Sequence, residues 1–222
     1  LNGVILPTPI VLSNINVSNS IGQLICAWCS YVTYQNVTMG NDGFAFFNTS
    51  NSKIFDSRVT TNNGYGVIVS GSNSNYLQNN TFNLLNITTT TNPYLYGVYL
   101  SGASGNEITN SNVSSSGASG YGTYLSNANY NTLTNNNLTV SADAISIGSS
   151  TNNLVNNNIL ISTGFLGSGI SLYAGSDNII TNNSMLTTHS SSYGAVIQSN
   201  SNIFLNNNIT SAGSPAIYLY SC

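Results

Sequence analysis

One eight-residue phrase returns along almost the whole chain, and that recurrence limits the possible folds more than any other feature. It is clearest at Asn131–Leu138 (N-T-L-T-N-N-N-L) and recurs at Asn152–Ile159, Asn178–Met185 and Asn202–Ile209. Looser copies stand at Asn75–Phe82 and Asn106–Val113, degenerate ones at Ile10–Val17, Ser30–Val37 and Ser52–Val59. These nine copies begin 20 to 31 residues apart. Self-similarity at such a period marks a repeat architecture, in which each unit buries its apolar face only against its neighbours.

A second phrase lies inside every repeat: a small residue, then an alternating apolar strand. Examples are Gly43-Phe-Ala-Phe46, Gly97-Val-Tyr-Leu100, Ala144-Ile-Ser-Ile147 and Gly194-Ala-Val-Ile197, with Gly22-Gln-Leu-Ile25 as the first copy. Short period-2 strands bounded by Asn, Gly and Ser are strand-and-turn signals. No stretch carries a capped apolar period of 3.6 residues. The pattern predicts an all-β, single-domain parallel β-solenoid of about nine coils without a capping helix, spanning 10–222. Residues 1–9 are expected to form an extended partial coil, with Gly3–Leu6 as a strand that contacts a neighbouring subunit. The 31-residue repeat predicts a protruding insertion at 83–96.

Within the first phrase the third and eighth positions are apolar in all nine copies, so they should point inward. The fifth is Asn in seven, including Asn79, Asn110, Asn135, Asn156, Asn182 and Asn206. Stacked at the strand spacing of about 4.8 Å, these amides are expected to form an inward hydrogen-bonded ladder. Asn also tolerates the left-handed backbone of a tight corner.

The repeat resembles that of right-handed parallel β-helix proteins, the pectin-lyase-like superfold. It is most similar to the Asn-rich short-repeat branch found in periplasmic copper-processing repeat proteins and archaeal cell-surface proteins. The resemblance covers about residues 10–220. It implies the fold, and it leaves function open because the superfold hosts lyases, hydrolases, adhesins and structural proteins.

Composition removes several classes. Only Lys53 and Arg58 are basic against five acidic residues, 3% charged in all, so no basic patch exists to meet nucleic acid. No apolar run approaches the 18 residues of a membrane-spanning helix. The first residue is Leu, which reads as a processed, secreted chain at the cell surface or outside the cell. An enzyme of this superfold would need carboxylates clustered on adjacent coils. Here Asp42, Asp56, Glu107, Asp143 and Asp177 are dispersed and His189 stands alone, so no catalytic residues are assigned. Two Met, one His and no clustered ligands also argue against copper delivery, and no cofactor is expected.

The reading that remains is structural. Both apparent ends read as strand, so copies of the chain are expected to stack head to tail into an extracellular filament. Cys26 and Cys29 form C-x-x-C in the first coil and Cys222 lies at the far end, about 40 Å away. An inter-subunit disulfide, a local Cys26–Cys29 bridge with Cys222 free, and three reduced thiols all remain open. Sequons at Asn16, Asn36, Asn48, Asn86, Asn112, Asn137 and Asn208 fall on outward or loop positions and are expected to carry N-glycans. Asn79 and Asn182, assigned to the inward ladder, are expected to be unmodified. The alternative is an adhesin that binds carbohydrate, because Tyr65, Tyr96 and Tyr121 precede the small residue in three successive coils and form a column on which a sugar could stack.

Overall fold

The computed structural model describes residues 10–17, 23–62, 64–71, 77–90, 95–117 and 119–222. The expected strand at Gly3–Leu6, the domain division at residues 1–9, Gly22 and Pro93 lie outside them. Among the described residues there is no helix, and the chain winds through three parallel sheets of nine strands each. Sheet A runs from Ile10–Ser13 to Ile203–Leu205, sheet B from Asn16–Val17 to Asn208–Ser211, and sheet C from Leu24–Ala27 to Ile217–Leu219. One strand of each sheet makes a layer.

The interior is a continuous apolar column. Phe44, Phe46, Ile54, Phe82, Leu100, Leu125, Leu133 and Leu138 are among its fully buried members. The strand phrase explains sheet C: Val98 and Leu100 point inward while Tyr99 and Ser101 point out. The small position preceding each strand is a close approach between layers. A Cβ at Gly97 would lie 2.2 Å from Val113 Cγ1 and 2.7 Å from the Gly122 carbonyl oxygen. Gly97→Ala should therefore lower stability by about 1–3 kcal/mol, the usual cost of overpacking. A denaturation midpoint equal to that of the parent would show that the corner relaxes freely.

Three copies of the first phrase are placed differently from the sequence reading. Strand pairing aligns Thr33 with Lys53, Thr81 with Glu107 and Leu154 with Ile179. The phrases therefore begin at Val32, Asn80 and Asn153 instead of Ser30, Asn75 and Asn152. The alternative registers are hard to separate in sequence because both put apolar residues in the key slots. Leu154 and Ile159 look as suitable as Val155 and Leu160, yet only the latter pair is fully buried. A one-residue slip exchanges the two faces of a strand. The expected insertion at 83–96 is corrected by the five-residue shift from Asn75 to Asn80: Thr81–Asn83 and Asn86–Thr89 are regular strands, and 91–94 lie outside the described residues. The long connection lies one strand earlier, between Ser70 and Thr81.

The fifth-position ladder also needs correcting. In true register the fifth slot holds Asn14, Asn36, Asp56, Leu84, Asn110, Asn135, Asn157, Asn182 and Asn206. All nine have φ between 49° and 58°, and all are exposed. This is the left-handed corner, and its side chains point outward. Asn79 is likewise left-handed and exposed, at the preceding corner, and Asn156 occupies the fourth slot, partly exposed. Some of these amides still pair on the outside, as Asn157 Nδ2 with Asn135 Oδ1 at 2.6 Å and Asn182 Nδ2 with Asn156 Oδ1 at 3.0 Å.

The buried ladders stand at the first and sixth slots. Asn80, Asn106, Asn131, Asn153, Asn178 and Asn202 form one, and Asn136, Asn158, Asn183 and Asn207 the other. In each step the backbone N–H and the side-chain amide of one Asn donate to the Oδ1 of the next. Asn131 to Asn153 (2.8 and 3.2 Å) and Asn158 to Asn183 (2.9 and 2.9 Å) are typical. The cause is backbone accounting. At these corners the strand ladder breaks, so a buried N–H needs an acceptor from the neighbouring layer. Near the amino-terminal end a serine hydroxyl does the same work, Val32 N–H donating to Ser52 Oγ at 3.0 Å and Val37 N–H to Ser57 Oγ at 3.1 Å.

Candidate functional site

The outer face of sheet C carries the most distinctive side-chain cluster among the described residues. Two strands with the sequence Tyr-Gly-x-Tyr, Tyr96–Ser101 and Tyr121–Ser126, pair in register, Tyr96 with Tyr121 and Tyr99 with Tyr124. Tyr65 joins from the layer before. Ring centroids are 5.6 Å apart for Tyr65–Tyr96, 5.1 Å for Tyr96–Tyr121 and 5.5 Å for Tyr99–Tyr124, with interplanar angles of 11°, 20° and 13°. Tyr96 is the hub, touching Tyr65, Tyr99, Tyr121 and Tyr124. Each of the five rings contacts at least two others, and all five are only partly buried.

The column ends on a carboxylate. The residue that takes the place of Tyr121 in the next layer is Asp143, placed by the bond from Gly122 N–H to the Asp143 carbonyl (3.1 Å). Asp143 is 7% exposed, and its Oδ1 accepts from Ser168 N–H at 2.8 Å. Burial pushes its pKa up to about 6, against the opposing pull of that N–H and of the Ser171 and Ser168 hydroxyls. Burial first, and then the neighbouring Asp143, push the Tyr121 hydroxyl up to about 12. Tyr96 is raised by burial and by its tyrosine neighbours. Tyr173 is raised by burial, with Ser171 opposing and Asp143 and Tyr124 reinforcing. A chain with so little surface charge reads as indifferent to pH, and this buried carboxyl is where that expectation meets an exception.

The predicted column of Tyr65, Tyr96 and Tyr121 is thus brought together, and Tyr99 and Tyr124 double it. The repeated Tyr-Gly-x-Tyr pattern in adjacent repeats was the available signal for the second column. Asp143 had none, because its burial depends on the layers stacked around it. Of the sequons, Asn16, Asn86, Asn112, Asn137 and Asn208 share one exposed column on sheet B. Asn36 is exposed at the fifth-slot corner, and Asn48 is partly exposed at another. Asn79 and Asn182 are exposed too, which removes the reason for setting them apart. Cys26 and Cys29 are bonded to each other, with Cα atoms 5.7 Å apart, and Cys222 is an exposed free thiol. A spacing of three residues across one corner brings the first two thiols together, so neither is left to pair with Cys222.

Comparison with known proteins agrees with this architecture. The family described as "Right handed beta helix region" matches residues 83–222, and "Periplasmic copper-binding protein (NosD)" matches residues 10–143. No curated protein matches the chain. Among solved structures, the A-module of the Azotobacter vinelandii mannuronan C-5 epimerase AlgE6 is similar at 10% identity and a TM-score of 0.40, covering 86% of this chain and 74% of that one. A T265N mutant of the periplasmic alginate epimerase AlgG gives 11%, 0.39, 96% and 76%. A tailspike of E. coli bacteriophage HK620 gives 11%, 0.36, 89% and 58%. At these scores no activity is carried over.

The copper named in the second family description finds no fitting donor set here. Among the described residues no three His, Cys, Asp or Glu side chains come together. His189 packs edge-on against Phe165 and its Nδ1 accepts from Ser191 N–H, while Met39 and Met185 are buried in the core. The matched repeats, the three parallel sheets and the buried asparagine ladders make this chain a member of the right-handed parallel β-helix repeat family.

Proposed function

We propose that this β-helix is a structural subunit of an extracellular, N-glycosylated filament built by head-to-tail stacking. The supporting observation is the surface of the ninth layer. Its strands Ile203–Leu205, Asn208–Ser211 and Ile217–Leu219 are paired on one side only. Phe204, Ile209, Ile217 and Leu219 occupy inward positions but are partly or largely uncovered, whereas Ile180, Met185, Ala195 and Ile197, one layer earlier, are buried. Such a surface calls for another parallel layer. The first described layer supplies the matching edges: sheet A begins at Ile10–Ser13, sheet B at Asn16–Val17 and sheet C at Leu24–Ala27, each paired on one side only among the described residues. Ile10 and Ile15 stand there at the ladder slots, so the junction would be apolar instead of amide-paired. The near-absence of charge leaves little repulsion between copies, and exposed sequons supply sites for hydrating glycans.

A further coil of a longer chain would cover the same surface, and microscopy separates the two. Negative-stain images of the 222-residue chain and of native extracellular material should show fibres with an axial repeat of about 43 Å, nine layers at the strand spacing. Isolated rods in both samples would overturn the filament. The tyrosine face favours a second reading, an adhesin whose row of hydroxyls and ring edges meets a carbohydrate chain. Calorimetric titration with soluble polysaccharides would test it: Tyr96→Ala should weaken any binding by about tenfold, the worth of one aromatic contact. Equal affinity in parent and variant would sink it.

A further inference from the structure

The tyrosine stack differs chemically from the rings inside the coil. The interior holds Phe44, Phe46 and Phe82 with a single phenol among them, Tyr34, whereas the outer face places five phenols in mutual contact over three successive layers. Parallel in-register pairing sets equivalent atoms of Tyr96 and Tyr121, and of Tyr99 and Tyr124, one above the other. None of the five hydroxyls makes a hydrogen bond among the described residues. All five rings are only partly buried, so they are open to solvent along one side.

We propose that this stack is a site of oxidative tyrosine coupling, where a one-electron oxidant joins rings of successive layers as dityrosine. Each phenol gives up one electron and its hydroxyl proton. The two phenoxyl radicals then form a carbon–carbon bond between ring positions ortho to oxygen. The two ortho hydrogens pass to the oxygens, which restores both aromatic rings and both hydroxyls. Two electrons and two protons leave in total, and they reduce one hydrogen peroxide to two waters when a peroxidase supplies the one-electron steps. Tyr193 and Tyr218, stacked at 4.8 Å, form a second pair able to react in this way. Tyr31 and Tyr130 are more exposed, 52% and 53%, and have no ring partner among the described residues. The consequence is a covalent staple between layers, which deepens the structural role proposed above and takes its purpose from it.

The experiment treats the dilute, soluble 222-residue chain with a peroxidase and hydrogen peroxide, then measures dityrosine fluorescence and maps cross-linked peptides within single chains. Links joining Tyr96 to Tyr65 or Tyr121, and Tyr99 to Tyr124, are expected, with a severalfold loss of yield when the chain is unfolded in denaturant first. A Tyr96→Phe, Tyr99→Phe variant keeps the rings and should lose most of the signal, while its circular dichroism stays that of the parent. Absence of intrachain dityrosine, a yield indifferent to unfolding, or preferential reaction at Tyr31 and Tyr130 would each overturn the proposal. The readout is intramolecular, so failure to form fibres would count against the filament and leave this result to stand or fall separately.

Discussion

Replacing Asn153 with alanine is expected to destabilise the protein by about 2–6 kcal/mol, because it leaves two buried N–H donors without their acceptor at about 1–3 kcal/mol each. Those donors are the backbone N–H and the side-chain amide of Asn131, which lie 2.8 and 3.2 Å from Asn153 Oδ1 in a site 1% exposed. The control is Asn135→Ala. Asn135 has φ 58° and is exposed, so the substitution costs the left-handed backbone of a non-glycine residue, about 1–2 kcal/mol, and a solvent-exposed amide pair with Asn157, which water replaces. Urea midpoints of the two variants decide the matter. If Asn135→Ala proved the more damaging, the ladder would belong at the outer corner after all. Because each layer touches only its neighbours, the damage should centre on the layers around Asn153, and hydrogen exchange should rise there first.

Acidification is expected to stabilise the fold, the reverse of the usual behaviour of proteins rich in paired carboxylates. In the folded chain the Asp143 carboxyl titrates at about 6, raised by burial from its ordinary value of 3.8. Below about pH 4 both folded and unfolded chains hold this proton, and no penalty exists. Between about pH 4 and 6 the unfolded chain releases it while the folded chain keeps it, so stability falls as pH rises. Above about pH 6 the full penalty, about 3 kcal/mol for a shift of this size, is in force. Denaturant midpoints from pH 4 to 8 should decline across that window and then level off. Asp143→Asn retains an acceptor for Ser168 N–H without the charge, and it should flatten the curve at the higher level. A parent profile already flat between pH 4 and 7 would place Asp143 in contact with water.

Much of the architecture was legible in the chain itself, for a physical reason. A β-solenoid is quasi-one-dimensional, so strand period, small corner residues and repeat spacing are local signals that recur nine times. Gly97, Gly122 and Ala144 announce the tight corner without any knowledge of what packs there. Tyr65, Tyr96 and Tyr121 announce a shared column because equivalent slots in successive repeats must stack. For Cys26 and Cys29 the spacing admitted a local bridge as one of three arrangements, and the corner between them in the folded layer decided it.

Register was not legible to the same degree. Around Asn152 and Asn153 the sequence offers two neighbouring asparagines, each followed at the correct spacing by apolar residues. Local pattern cannot choose between Leu154 and Val155 as the inward side chain. The choice belongs to the stack, where the observed register gives Asn131 N–H an acceptor in Asn153 Oδ1 and Asn153 N–H one in Asn178 Oδ1. The same holds for the asparagines as a class. Chain position alone does not distinguish Asn135, exposed on a left-handed corner, from Asn136, 3% exposed in the second ladder. The sequence by itself determined the strands, the corners and the columns. The tertiary structure decided which amide faces inward, which tyrosines touch and which carboxylate loses its water, because each depends on the layer above and below.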